Sequence, residues 1–493
     1  MQIKEKVESW NLHYRTWIIL LMGITTVFSL LFLTNQSLRL DESQTLWQVS
    51  NNIPRILNMV GQDVHVPLYH LILHFWLFYL GNTIFAARLL SLLFIVLTIP
   101  AVFVLGKRAF NPTIGLFAAV LTAISPFLAW YGSEIRMYSM VTLVTVINQI
   151  FFLNLSKKPS FFNWLGYFLT GVIGVYTHYF FLLILGAQFL FFLVFRKNFP
   201  RRTFFKLFAA IFLIALSLAP WAFYVYNLHG TSYSEPLLAK PTIINIFITF
   251  TQFLFGFQTE RFNRLVIALW PIGVLFGFLS LTRRQRFSFE AFFFLFAAIV
   301  PILAAYAFSV LVKPVYLSRY LILTIPSLYL FLAWLFYHYP SKLANAFRYS
   351  LVVFMSVTLF VQSVSAANPA KEDFRDVANY LNQNVQPDDV IIVSAPFTIY
   401  PVEYYYKGPA QVITMPEWNR FVIGPIPAFS QEQMAAEVNS LKGTHRRAFV
   451  ILSYDQGYED SVRLYFDKNF QRLDYKNYSP GLDVYEYRLR YDI

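Results

Sequence analysis

Residues 38–76 read "LRLDESQTLWQVSNNIPRILNMVGQDVHVPLYHLILHFW", a polar interruption set between two apolar runs at 17–34 and 85–106. Each flanking run is long enough to cross about 30 Å of hydrocarbon. The stretch between them is too long for a simple turn. Over 43–59 and 66–80 apolar positions are mixed with Gln, Asn and His, the pattern of helices lying in a membrane interface. A ledge of such helices is therefore predicted over 41–80, with the adjacent carboxylates Asp41 and Glu42 where the chain leaves the lipid.

Working outward, the composition agrees. The chain has 493 residues, of which 57% are hydrophobic and 13% charged, against about one quarter charged in soluble domains. Its 31 Tyr and 10 Trp suit the two bilayer interfaces. Cysteine is absent, which excludes disulfides, thiolate metal sites and a thiol nucleophile. The net charge of +13 is uneven: residues 1–370 carry 26 Lys and Arg against 9 Asp and Glu, while 371–493 carry 13 against 17. The basic residues stand in short tracts between apolar runs and form no continuous stripe, so a nucleic-acid partner is not expected.

Candidate spans are 17–34, 85–106, 112–130, 137–155, 162–178, 179–195, 204–225, 265–282, 289–312, 320–337 and 349–365, about eleven by length and apolarity. "GKRAFNP", "SKKPS", "RKNFPRR", "TRRQR" and "PSKLANAFR" separate alternate spans, and the positive-inside bias makes these loops cytoplasmic. Run 17–34 lacks a small-residue cleavage site and reads as an uncleaved anchor. The ledge, "YGSEIR", the loop from Asn227 to Asn263 and "KPVYLSR" then face outward, as does everything after 366. Apart from Arg88, His178, Lys206 and Glu290 near span ends, the spans hold no His, Lys, Arg, Asp or Glu; Asn148, Gln149 and Gln188 are their main polar interruptions. Ion-coupled transporters keep charges or broken helices near the midplane, so chemistry at the outer surface is the better expectation.

The tail alternates patterns. "KEDFRDVANYLNQNV", "SQEQMAAEVNSL" and "SVRLYFDKNF" read as helices, and "VIIVSAP", "QVITM" and "RRAFVILSY" as strands, which predicts a small α/β domain. Neither a Gly-rich phosphate loop after a strand nor an Asp-x-Asp pair in the outer loops is present, which argues against a nucleotide-sugar donor.

The ordered set "LDESQTLW", "HVPLYHLILHFWLFYLGNTIFAARLLSLLF", "YGSEIRMYSM", "YTHYFFLL" and "YLSRYLIL" resembles the lipid-linked-sugar glycosyltransferases of the GT-C fold. It is similar to their bacterial branch, related to protein O-mannosyltransferases and aminoarabinose transferases. The likeness covers most of 15–365, and the tail resembles the extracytoplasmic domain of many members. It implies a polytopic α-helical membrane protein, with a transmembrane glycosyltransferase domain over 1–365 and an extracytoplasmic α/β domain over 366–493. It further implies transfer of a sugar from a polyprenyl-phosphate carrier to a glycan, lipid or protein acceptor outside a bacterial plasma membrane.

An acceptor hydroxyl is a poor nucleophile and needs a carboxylate to take its proton. The leaving phosphate is already charged and needs cationic donors more than an acid. In-line displacement by one nucleophile inverts the anomeric centre. Read alone, Asp41 and Glu42 suit the start of a helix; with the family order, Asp41 is the expected base and Glu42 its orienting neighbour. Arg136, Tyr138, Lys313, Arg319 and Tyr320 are the donor-phosphate candidates, with interface anchoring or snorkelling as the plainer alternative. His65, Glu134 and His178 are candidates for substrate contact, though a lone His is more often a packing residue. No cofactor is expected and no metal is assigned, with a divalent ion left open. Rival readings are a lipid-linked oligosaccharide flippase, a polysaccharide polymerase or ligase using a diphosphate-linked donor, and a catalytically inert relative whose tail binds glycans.

Overall fold

The computed structural model describes residues 2–63, 65–200, 203–229, 238–268, 287–339, 341–365, 371–422 and 426–490. They form two compact units. The first comprises Met1–Leu33, Asp63–Tyr224 and Leu237–Pro369; the second comprises Thr34–Gln62, Val225–Pro236 and Ala370–Ile493. The packing thus crosses the expected boundary at 365, because the start of the ledge groups with the tail.

The first unit is helical. Seven helices among the described residues are long and apolar enough to span a membrane: His13–Phe32, Ile84–Ala109, Tyr138–Lys157, Thr203–Leu228, Phe289–Leu311, Ser318–His338 and Lys342–Val364. An eighth is reached if Pro112–Ala123 and Pro126–Gly132, bent by 58°, count as one. The expected eleven shrink for separate reasons. Phe161–Thr177 has 17 residues and Phe181–Val194 only 14, short of a full crossing at 1.5 Å per residue. Candidate 265–282 lies mostly outside the described residues.

Sequence sets the helix ends. Thr83 caps Ile84–Ala109 by accepting from Ala86 N at 3.1 Å, and Lys107 and Arg108 close its last turn, where cations favour the helix dipole. Asn111 accepts from Ile114 N at 2.9 Å and Pro112 follows at the first helical position, a standard start signal. Ser125 and Pro126 repeat it, and so break the span that sequence reads as 112–130.

Polar groups inside the helical unit close on one another, as hydrocarbon surroundings demand. Asn148 donates to Tyr167 O at 3.1 Å and Thr170 Oγ1 at 3.0 Å; Gln188 Nε2 donates to Asn148 Oδ1, and Tyr167 OH to Gln188 Oε1, both at 2.9 Å. Gln149 donates to Ser327 Oγ at 2.8 Å. Buried Arg88 caps the end of the first helix by donating to Leu33 O at 2.9 Å. At the helix break, Gln362 Nε2 donates to Pro126 O at 2.8 Å while its Oε1 accepts from Phe257 N at 3.1 Å. Beside it Gly256 has φ +71, and a Cβ there would stand 2.3 Å from Gln362 Oε1, so both conformation and space require glycine.

In the second unit, strands Val390–Ser394 (β1), Gln411–Thr414 (β2), Arg447–Ser453 (β3), Gln471–Ser479 (β4) and Leu482–Arg488 (β5) form one sheet in the order β2-β1-β3-β5-β4. β1 runs parallel to β2 and β3, whereas β5 pairs antiparallel with β3 and β4. Strand alternation sends Ile391, Val393, Phe449 and Ile451 to one core with Phe374, Val377 and Leu381. Val390, Ile392, Val450 and Leu452 go to the other, with Met434, Val438 and Phe466. Leu40 and Trp47 of the ledge pack against the first core. The three expected strands and three helices are present; the β4–β5 hairpin, turning at Gly481 with φ +76, is additional.

Candidate active site

In the second unit the helix Leu40–Val49 has Arg39 as its N-cap residue. Asp41 and Glu42 are therefore its second and third residues, and Asp41 is not the cap. Glu42 supplies the reach-back instead: its Oε2 accepts from Arg39 N at 3.0 Å, half of a capping box. The same oxygen accepts from Lys371 Nζ at 3.0 Å, with side-chain exposures of 2% for Lys371 and 0% for Glu42. Asp41 is half-buried, and its backbone O accepts from Thr45 Oγ1 at 2.8 Å.

In the first unit, the turn between Pro126–Gly132 and Tyr138–Lys157 carries Glu134 and Arg136 inward, tightened by Arg136 N donating to Glu134 O at 2.8 Å. Both side chains are buried, Arg136 to 3% exposure. Its Nη2 contacts His65 Nε2. A guanidinium only donates, so His65 accepts there and holds its own proton on Nδ1. Asp63 Oδ2 lies 3.7 Å from the same His65 nitrogen.

His70 stacks 6.3 Å from His65. Burial, then the neighbouring Arg136 and His65, push its pKa down to about 3. His70 is neutral in this arrangement, and Arg136 carries a positive charge beside it. Sequence reasoning assigned His70 no role, although it lies within the quoted "HVPLYH".

An aromatic wall adjoins the cation. Ring centroids of Tyr138 and Tyr320 are 6.4 Å apart, His178 and Tyr320 5.3 Å, and Tyr138 and His178 6.0 Å. The Arg319 guanidinium lies 5.5 Å from the Tyr320 ring, and Arg136, His65 and Arg319 all act electrostatically on His178. The loop holding Arg319 is tied down by Ser318 Oγ donating to Gln252 Oε1 at 2.5 Å and by Tyr316 OH with Thr249 Oγ1 at 2.8 Å. The structure thus assembles His65, Arg136, Tyr138, His178, Arg319 and Tyr320. Among the described residues no group of three or more His, Asp or Glu is placed to hold a metal ion.

These elements define a multi-pass helical membrane protein of the GT-C fold with a small α/β domain. Residues 64–224 match the model of the family described as dolichyl-phosphate-mannose-protein mannosyltransferases. That segment contains His65, His70, Arg136, Tyr138 and His178. Among solved structures, the chain is similar to ArnT from Cupriavidus metallidurans in the apo state, with a TM-score of 0.64 at 12% identity over 96% of this chain and 98% of that one. It is also similar to the same protein bound to undecaprenyl phosphate, with a TM-score of 0.63, 12% identity and the same coverage. No curated protein matches the chain in sequence.

Proposed function

We propose that the chain transfers a glycosyl group from a polyprenyl-phosphate-linked sugar to an acceptor hydroxyl at the outer face of a bacterial plasma membrane, with inversion. The observation that carries the reading is the buried Arg136, held against His65 inside the family-matched segment. A guanidinium's planar donors can meet a lipid phosphate at two points. The neighbour bound to undecaprenyl phosphate supports a lipid-phosphate donor.

Asp41 accepts the acceptor's proton as its oxygen bonds to the anomeric carbon. The carbon–oxygen bond to phosphate breaks, and the electron pair leaves with the polyprenyl phosphate. Arg136 and Arg319 hold that phosphate, while Tyr138, Tyr320 and His178 line the space beside it. Lys313, His65 and Glu134 support donor or acceptor binding. Residues 366–493 lie outside the cytoplasm on the same reading, because the Lys- and Arg-rich loops are retained inside.

Two measurements test this. Mass spectrometry of copurifying lipids should find a polyprenyl-phosphate sugar, and a diphosphate-linked sugar in its place would move the donor class to that of polymerases and ligases. Asp41→Asn removes the basic site while keeping shape, so turnover should fall by about 10²-fold or more with donor binding retained. Near-normal turnover in a folded Asp41→Asn enzyme rejects Asp41 as the base.

A further inference from the structure

The pair between Glu42 and Lys371 joins residues 329 apart in sequence, and its place beside Asp41 has a chemical consequence. Glu42 Oε2 accepts from both Arg39 N and Lys371 Nζ at 3.0 Å. It fixes the helix start that carries Asp41, and it does so as an ion buried with its counter-ion. Two adjacent carboxylates in a half-buried first turn repel one another and hold a shared proton more tightly. A buried ammonium on one of them removes that effect.

We infer that Lys371 is a positioning residue for the proposed base Asp41: acting through Glu42, it neutralises the second carboxylate of the acidic pair and locks the helix start on which Asp41 stands. This gives the tail a direct part in the proposed reaction, since the residue comes from its first helical approach, just ahead of Phe374–Asn384. The inference rests on Asp41 being the base.

Other charged groups stand around this turn. Arg39 pairs with Glu372 at 3.7 Å. Tyr454 is held protonated, its pKa driven well above the usual tyrosine value by burial and then by Glu372. On the packed helix Ile399–Tyr405, Glu403 is bound by Arg420, and Tyr405 OH accepts from Leu38 N at 3.0 Å. The Arg420 guanidinium lies over Trp47 and Tyr400, and on helix Ile53–Gln62 Arg55 lies over Phe421. The cation observed on Glu42 is Lys371.

The test is the pH profile of kcat/KM in the full-length enzyme with a defined polyprenyl-phosphate sugar. Lys371→Met should lower kcat about tenfold with the donor KM unchanged, and should move the acid limb up by about one pH unit, an order-of-magnitude figure for neighbouring charges in a partly buried site. Lys371→Arg should restore both. Glu42→Gln/Lys371→Met, which leaves no uncompensated buried ion, should return the limb to its wild-type position and cost no more turnover than Lys371→Met alone.

If Lys371→Met fails to fold, Glu42→Gln carries the test, because the remaining ammonium should move the limb downward. A wild-type limb in Lys371→Met, or in Glu42→Gln where that is the variant used, overturns the inference, as does a double variant whose losses multiply. Asp41→Asn separates the two failures. If it abolishes turnover while the Lys371 or Glu42 profile stays wild-type, the positioning role alone falls; if it keeps turnover, the base assignment falls first.

Discussion

Gln362→Leu perturbs the helix break without changing side-chain volume much. Gln362 serves the Phe257 amide just past Gly256, which no helix ladder satisfies, and adds a donor to the Pro126 carbonyl in the first turn after the break. Leucine leaves both without this partner. A buried polar group left unpaired costs about 1–3 kcal/mol, while side-chain hydrogen bonds within membranes average about 0.6 kcal/mol. The stranded Phe257 amide sets the expected loss at about 1–3 kcal/mol, with the weakened Pro126 contact adding about 0.6 kcal/mol. The assay is unfolding in mixed micelles of rising SDS content, followed by tryptophan fluorescence, since Trp130 lies in the helix that Gln362 holds. The same helix leads into the Glu134–Arg136 turn, so donor KM should rise together with the loss of stability. A midpoint within about 0.5 kcal/mol of wild type, the usual range for substitutions away from such features, with an unchanged donor KM, refutes the claim that this clamp sets the turn.

His70→Gln should flatten the acid side of the stability curve. The folded state keeps His70 neutral down to about pH 3, whereas the unfolded chain protonates it near the ordinary histidine value of 6.5. The unfolded state therefore binds more protons between those values, and wild-type stability should fall as pH drops through that window by at most about 1.4 kcal/mol per unit; identical curves for both proteins dispose of the idea. Arg136→Lys and Arg319→Lys should each weaken donor binding, because an ammonium cannot make the planar two-point contact of a guanidinium. Titration with a polyprenyl-phosphate sugar measures this, and unchanged affinity in both variants leaves them as interface anchors.

Much of this architecture can be read before any coordinates, because it depends on local rules. The long apolar runs, the caps at Thr83, Asn111 and Ser125, and the alternation of β1 and β3 all act within a few residues. What escapes notice depends on distant partners or on weak pattern. The break at Ser125 is signalled by "SPF" but hidden by continuous apolarity. β4 is exposed along most of its length, so it shows no apolar alternation, and it is found through its pairing with β5. The grouping of Thr34–Gln62 with the tail has no local signature at all. Lys371 reads simply as the first residue of a helical approach until its ammonium is found on Glu42.

The same division governs the site. Residue type and order single out Asp41, Arg136 and Arg319, but which groups are charged depends on burial and contact. His65 accepts from Arg136 and His70 is held neutral, so the positive charge offered to a phosphate resides on guanidiniums that do not titrate in the working range of an enzyme. Glu42 is matched by Lys371, and on the proposed reading Asp41 is the carboxylate that takes the acceptor's proton. An acid limb in the pH profile therefore reports the base and not the donor-binding charge. Arg136→Lys should weaken donor binding without moving that limb, while changes at Glu42 or Lys371 should move the limb without weakening donor binding.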